Sequence, residues 1–144
     1  MQHEGDVYGA AFDQAEKRIL TWSNDYTARL WDANTGEQLG KAMQHEDWIK
    51  GAVFDQGGKR ILTWSDDGTA RLWDANTDER LGKTIQNIDG FAGAFSDSSI
   101  RRILTVSNDN TARLWDANTG VQIGKTMQFE DSLKGTVFDK AGKS

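Results

Sequence analysis

KRILTWSNDYTARLWDANTGEQLGK, Lys17 to Lys41, returns as KRILTWSDDGTARLWDANTDERLGK, Lys59 to Lys83, and again as RRILTVSNDNTARLWDANTGVQIGK, Arg101 to Lys125. Upstream, HEGDVYGAAFD (His3 to Asp13), HEDWIKGAVFD (His45 to Asp55) and FEDSLKGTVFD (Phe129 to Asp139) repeat at the same 42-residue period. A fixed period of this length means stacked units, each of which must bury its apolar faces against its neighbours. Each unit reads as four short strands. The first ends in Phe (Val7 to Phe12, Ile49 to Phe54, Phe91 to Phe95, Leu133 to Phe138). The second is the Arg-Ile-Leu-Thr run, and the third is Thr-Ala-Arg-Leu-Trp. The fourth begins near Gln38, Arg80 and Gln122. Ala-Asn-Thr-Gly between the third and fourth strands is a hairpin signal, with Gly where φ > 0 is needed. The second unit has Asp78 at that point, which costs about 1 kcal/mol relative to Gly. Turns recur every ten residues or so and no helical period competes, so the units are antiparallel meanders.

With Trp-Asp closing each third strand (Trp31-Asp32, Trp73-Asp74, Trp115-Asp116), the chain resembles the WD-repeat β-propellers, and the near-identity of its units is similar to the amplified repeats of bacterial members. The resemblance implies an all-β fold of propeller blades, about 5–44, 45–86 and 87–128, followed by a lone inner strand of a fourth blade at about 132–138. It also implies a structural tetrad in each blade: His3, Thr21, Asp25 and Trp31; His45, Thr63, Asp67 and Trp73; and Thr105, Asp109 and Trp115 with Asn87 in place of His. The start of a fourth unit has Phe129 there. Such a tetrad satisfies buried polar atoms, so both histidines read as structural. Blade three departs further. Val106 stands for Trp22 and Trp64, and its turn from Ser96 to Ile100 reads as one residue longer, balanced by one fewer between Asn87 and Phe95.

Propellers close with roughly four to eight blades. Three blades leave two apolar faces open, so self-association is expected. A homodimer is preferred, with six blades and two spare strands, and a homotrimer comes next. The spare strand would take the place of Val7 to Phe12 in a neighbouring copy. The resemblance further implies protein or peptide partners on the upper face, so the chain reads as a non-catalytic, self-assembling interaction scaffold. A purely structural, designed or excised propeller fragment with no external ligand is the alternative.

The loops before each first strand carry Glu4 and Asp6, Glu46 and Asp47, Asp89, then Glu130 and Asp131. With Trp48, Phe91 and Tyr26 as aromatic anchors, this acidic upper face would select a basic peptide or protein. The plainer reading is a solubilising surface, with Trp48 and Phe91 packed between blades. Lys17-Arg18, Lys59-Arg60 and Arg101-Arg102 point to the lower face. Arg29, Arg71 and Arg113 lie mid-strand, where charge must be paired. Lys41, Lys83 and Lys125 fall on outer strands, where lysine blocks edge-to-edge pairing.

Other chemistry finds little support. Seventeen basic and 22 acidic residues give a net charge of −5, which argues against nucleic-acid binding. The absence of Cys removes disulfides, thiol nucleophiles and thiolate metal ligands. No apolar run approaches the ~20 residues of a membrane span. The charged N-terminus does not read as a signal peptide, so a cytoplasmic location is expected. Asp32-Ala-Asn-Thr-Gly and its copies superficially resemble a calcium loop, but the bidentate acid at the twelfth position is missing. Asp66-Asp67 reads as tetrad and surface. No nucleophilic triad, metal site or cofactor is expected.

Overall fold

The computed structural model describes residues 1–77, 79–86 and 91–129. Twelve strands form three four-stranded antiparallel sheets. Blade one contains β1 (Val7–Phe12), β2 (Arg18–Ser23), β3 (Thr27–Asp32) and β4 (Gln38–Gln44). Blade two contains β5 (Ile49–Phe54), β6 (Arg60–Ser65), β7 (Thr69–Asp74) and β8 (Arg80–Gln86). Blade three contains β9 (Gly93–Ser96), β10 (Arg102–Val106), β11 (Thr111–Asp116) and β12 (Gln122–Gln128). Within each blade, strands pair in chain order, and the described residues contain no helix. The turn glycines Gly36 and Gly120 have φ of 75° and 69°, the left-handed region the hairpin needs. Asp78, the proposed strand 132–138, and Asn87, Asp89, Glu130 and Asp131 lie outside the described residues.

Both faces of each sheet carry apolar residues because each must meet a neighbour. Leu20, Leu30 and Met43 of blade one share a core with Ile49, Ala52, Ile61 and Trp73 of blade two. One period later, Leu62, Leu72 and Ile85 meet Phe91, Ala94, Ile103 and Trp115. In the Arg-Ile-Leu-Thr-Trp strand, Leu and Trp therefore face the following blade and Ile the preceding one. Each wholly buried Leu, Ile or Met contributes roughly 1.5–3 kcal/mol, whereas a ladder hydrogen bond nets about 1 kcal/mol. Contacts between blades thus dominate the stability of the stack.

The third blade corrects two expectations. Ser96 pairs with Ile103 and Phe95 with Leu104, just as Phe54 pairs with Ile61 and Val53 with Leu62. No residue is inserted, so the turn is not longer. The Phe has moved one position along the strand, and since side chains alternate, it has changed face. Ile100 is fully buried in the core shared with blade two. Phe95 in turn compensates for Val106. In blades one and two the indoles of Trp22 and Trp64 lie over Gly9 and Gly51, their cross-strand partners. In blade three Gly93 faces Val106, and the Phe95 ring lies beside that glycine instead, 3.3 Å from where a β-carbon would stand. The first strand is also shorter than expected, starting at Gly93 and not at Phe91.

Outer strands β4, β8 and β12 carry exposed Lys41, Lys83 and Lys125. Their pairing with β3, β7 and β11 slips between Ala28 and Leu30, Ala70 and Leu72, and Ala112 and Leu114. A bulge and a lysine together make a poor template for edge pairing.

The two ends of the stack are open. Val7 is 52% exposed, whereas Ile49 and Phe91 at the same position are 0% and 2% exposed. Phe12 is 59% exposed. On the far side of blade three Ile123 is 39% exposed, although Leu39 and Leu81 pack against the interblade cores.

Candidate functional site

The loops that connect blades are held by a polar chain running from β3 outward. In blade one the Trp31 indole N–H donates to Thr21 Oγ1 at 2.8 Å, and Thr21 lies 2.6 Å from His3 Nε2. His3 Nδ1 lies 2.9 Å from Asp25 Oδ2. A carboxylate can only accept, so Nδ1 carries the proton and Nε2 accepts from the threonine hydroxyl. Blade two repeats this arrangement with Trp73 to Thr63 at 2.9 Å, Thr63 to His45 at 2.6 Å and His45 to Asp67 at 2.9 Å. In blade three Trp115 donates to Thr105 at 2.9 Å, and Thr111 donates its hydroxyl and N–H to Asp109.

The carboxylates do more than receive the histidine. Asp25 Oδ2 accepts the Glu4 N–H and Asp67 Oδ2 the Glu46 N–H, each at 2.9 Å. The tetrad therefore fixes the backbone of the residues that carry the acidic patch. Burial alone would raise Asp25. The Thr27 hydroxyl, the Glu4 N–H and the His3 ring outweigh it and hold the carboxyl at about 2. Asp67 is also lowered, its burial overcome by Thr69, the Glu46 N–H and His45. His45 is 1% exposed, and that desolvation pushes it down to about 4 against the attraction of Asp67.

Other contacts continue the stitching. Trp48 O accepts the Asp66 N–H at 2.9 Å, Asp47 O accepts the Ser65 hydroxyl at 3.1 Å, and Tyr26 O accepts the His45 N–H at 2.9 Å. Arg29 lies 3.8 Å from Asp25 and donates to Gln2 O; Arg71 lies 3.6 Å from Asp67 and donates to Gln44 O. Arg113 donates to Ser107 and Thr111 hydroxyls. Arg29 and Arg71 thus hold the loop as well as the carboxylate.

Glu4, Asp6 and Glu46 are exposed and Asp47 is half-buried. Trp48 is 44% exposed, and its ring centroid is 5.8 Å from that of Tyr8, which is 48% exposed. Tyr26 is 41% exposed. Phe91 does not join them. It sits in the core between blades two and three, because it occupies the strand-facing position of Ile49, one residue past the Trp48 position. It is removed from the candidate surface. Tyr8 was missed because its period mates are Lys50 and Ala92. Its partnership with Trp48 depends on which loop lies beside which strand, and composition carries no trace of that.

At the opposite turns Asp13 accepts the N–H groups of Lys17 and Arg18 and pairs with the Arg18 guanidinium at 3.0 Å. The lower basic row is therefore partly consumed by structure. Likewise Asp32 Oδ1 accepts the N–H groups of Asn34 and Thr35 at 2.8 and 3.0 Å, so the loop that resembled a calcium site spends its carboxylate on its own turn. Among the described residues no group of three or more His, Cys, Asp or Glu side chains converges as a metal site would require, and no helix is long and apolar enough to cross a membrane.

The WD40 model, described as WD domain, G-beta repeat, matches residues 1–32 and 36–74. No curated protein matches the chain. WD40 repeats serve in general as protein-interaction scaffolds, and their family is generally non-catalytic. The blade topology, the Trp-Asp strand ends and the matched segments together identify WD40 repeats, folded as four-stranded sheets of the kind that form WD-repeat propeller blades.

Proposed function

We propose that the chain is a non-catalytic scaffold that associates with copies of itself and offers its acidic loops to a basic peptide or protein. The observation that carries the reading is the pair of open sheet faces. Ile49, wholly buried inside the stack, has the exposed counterpart Val7 at one end, and the half-buried Leu39 and Leu81 have the exposed Ile123 at the other. Exposed apolar faces of this kind mark interfaces. A homodimer supplies six blades and a homotrimer nine, and the former falls within the usual range.

The external partner is supported by the loop geometry. Glu4 and Glu46 are exposed on backbone anchored by the tetrad carboxylates, and the exposed Tyr8 and Trp48 rings pair with each other. Rigid acidic loops around an amphipathic aromatic pair suit a chain rich in Lys or Arg. Titrating the protein with a Lys/Arg-rich peptide and with an acidic peptide of the same length, read by tryptophan fluorescence, tests this. Only the basic peptide should bind, more weakly at high salt, and Glu46→Lys with Asp47→Lys should abolish it. Equal binding of both peptides, or of neither, would remove this part of the reading. The burial of Phe91 favours a second reading, a structural assembly with no outside ligand, which the same titration separates.

A further inference from the structure

We propose that copies of this chain join head to tail, the face of blade three that carries Leu114, Ile123 and Met127 seating on the face of another copy's blade one that carries Val7, Ala10 and Phe12. The inference rests on the self-association proposed above and names the two surfaces that meet.

Two such joints are already formed inside the chain. Blade one presents Leu30, Leu39 and Met43 to Ile49, Ala52 and Phe54 of blade two. One period later Leu72, Leu81 and Ile85 meet Phe91 and Ala94. Advancing once more places Leu114, Ile123 and Met127 on the presenting side. Along the chain itself the period next gives Leu133, Thr136 and Phe138, outside the described residues, whereas another copy's blade one offers Val7, Ala10 and Phe12, which alone keep the alanine of Ala52 and Ala94. The side-chain types match at each position, and Val7, Ala10, Phe12 and Ile123 are exposed. An interface between copies would therefore continue one that the molecule has built twice.

Polar and steric details agree. Between blades two and three the Lys83 N–H donates to Asn118 O at 3.3 Å. A β-carbon on Gly82 would meet Asn118 O at 2.8 Å, and one on Gly120 would meet Lys83 at 3.2 Å. At the open ends the mates of these glycines, Gly124 and Gly36, have nothing within 4 Å. One end thus holds the free strand and the other the free hairpin of the same contact. Arg18 similarly lies over the Phe54 ring at 5.3 Å and donates to Gly58 O at 2.5 Å. Across the joint the same positions are Arg102 and Phe12. Pairing two like faces would bring strand to strand and hairpin to hairpin and would reproduce none of these contacts. The joint is heterologous, and it closes when the rotation of the blades completes a ring.

The test uses two surface substitutions, Val7→Glu and Ile123→Glu, with circular dichroism to confirm that each chain folds and light scattering to give its mass. Each variant alone should associate at least tenfold more weakly than the unaltered chain. An equimolar mixture should recover association, because it retains one unaltered pair of faces. A chain with Asn34→Cys and Lys125→Cys, having no other cysteine, should form disulfide-linked multimers, and this holds even if a glutamate variant folds poorly. If the unaltered chain associates but neither glutamate has an effect, the proposed faces are wrong while self-association stands. Loss with Val7→Glu only, and no recovery on mixing, would mean like faces pair and would overturn the proposal. A monomeric unaltered chain at every concentration would overturn both this inference and the reading on which it rests.

Discussion

Trp22 lies flat over Gly9, its partner on the adjacent strand, so closely that a β-carbon on the glycine would overlap the six-membered ring. Trp64 and Gly51 repeat the arrangement. The glycine is required here for space, since any side chain must displace an indole that is itself wedged against the next blade.

Gly51→Ala should therefore cost about 1–3 kcal/mol, the usual penalty for overpacking. Gly93→Ala should cost less, because its neighbour is the edge of the Phe95 ring at 3.3 Å. Urea denaturation of the two variants gives the comparison, and an equal loss would contradict it.

The aromatic exchange in blade three makes its own forecast. Val106→Trp alone should destabilise, because Phe95 already lies beside Gly93. Combined with Phe95→Val it should recover most of the loss, since the pair then matches Val53 and Trp64. Residues in contact couple by about 0.5–3 kcal/mol, and a double-mutant cycle showing simple additivity would refute the compensation.

Acid should weaken the fold in a defined window. His45 titrates near 4 when folded and near 6.5 when unfolded, so the unfolded chain binds the extra proton. Stability is full above about pH 6.5 and is lost as pH falls towards 4, by about 3 kcal/mol at most. Asp25, held at about 2 against an ordinary 3.8, adds a further loss below pH 4 in the same direction. Urea midpoints across pH 7 to 4 measure the first step. His45→Asn should lower stability at pH 7 by about 1–3 kcal/mol by leaving Thr63 and Asp67 short of a partner, and should flatten the slope. An unchanged slope would assign it elsewhere.

Tyr26 has φ of 75°, a left-handed conformation occupied by Gly68 and Asn110 in the other blades. The residue is 41% exposed, and its carbonyl accepts the His45 N–H. Tyr26→Gly should raise stability by about 0.5–1 kcal/mol. A lower melting temperature would show that the ring contributes packing that outweighs the strain.

The fold was legible because repetition supplies its own alignment. The Arg-Ile-Leu-Thr and Thr-Ala-Arg-Leu-Trp runs alternate apolar residues on both faces, and Trp-Asp marks each strand end. Register was less legible where side chains trade places. Phe95 was aligned with Phe54 by identity, but pairing puts Ser96 there, because the backbone ladder counts residues and is indifferent to which carries the ring. The candidate surface divides in the same way. Phe91 reads as an anchor beside Trp48, yet it takes the position of Ile49, one residue further along the chain, and is buried there. The contact between Tyr8 and Trp48 is not legible in the sequence, because it arises only from the neighbouring loop that brings Trp48 against Tyr8.

If the open faces of blades one and three are covered by other copies, the mass in solution must show it. Molar mass by light scattering on a size-exclusion column, across a dilution series, should give a discrete multiple of 16.0 kDa at high concentration, with two copies preferred, dissociating on dilution. A well-folded 16.0 kDa species at every concentration would contradict it.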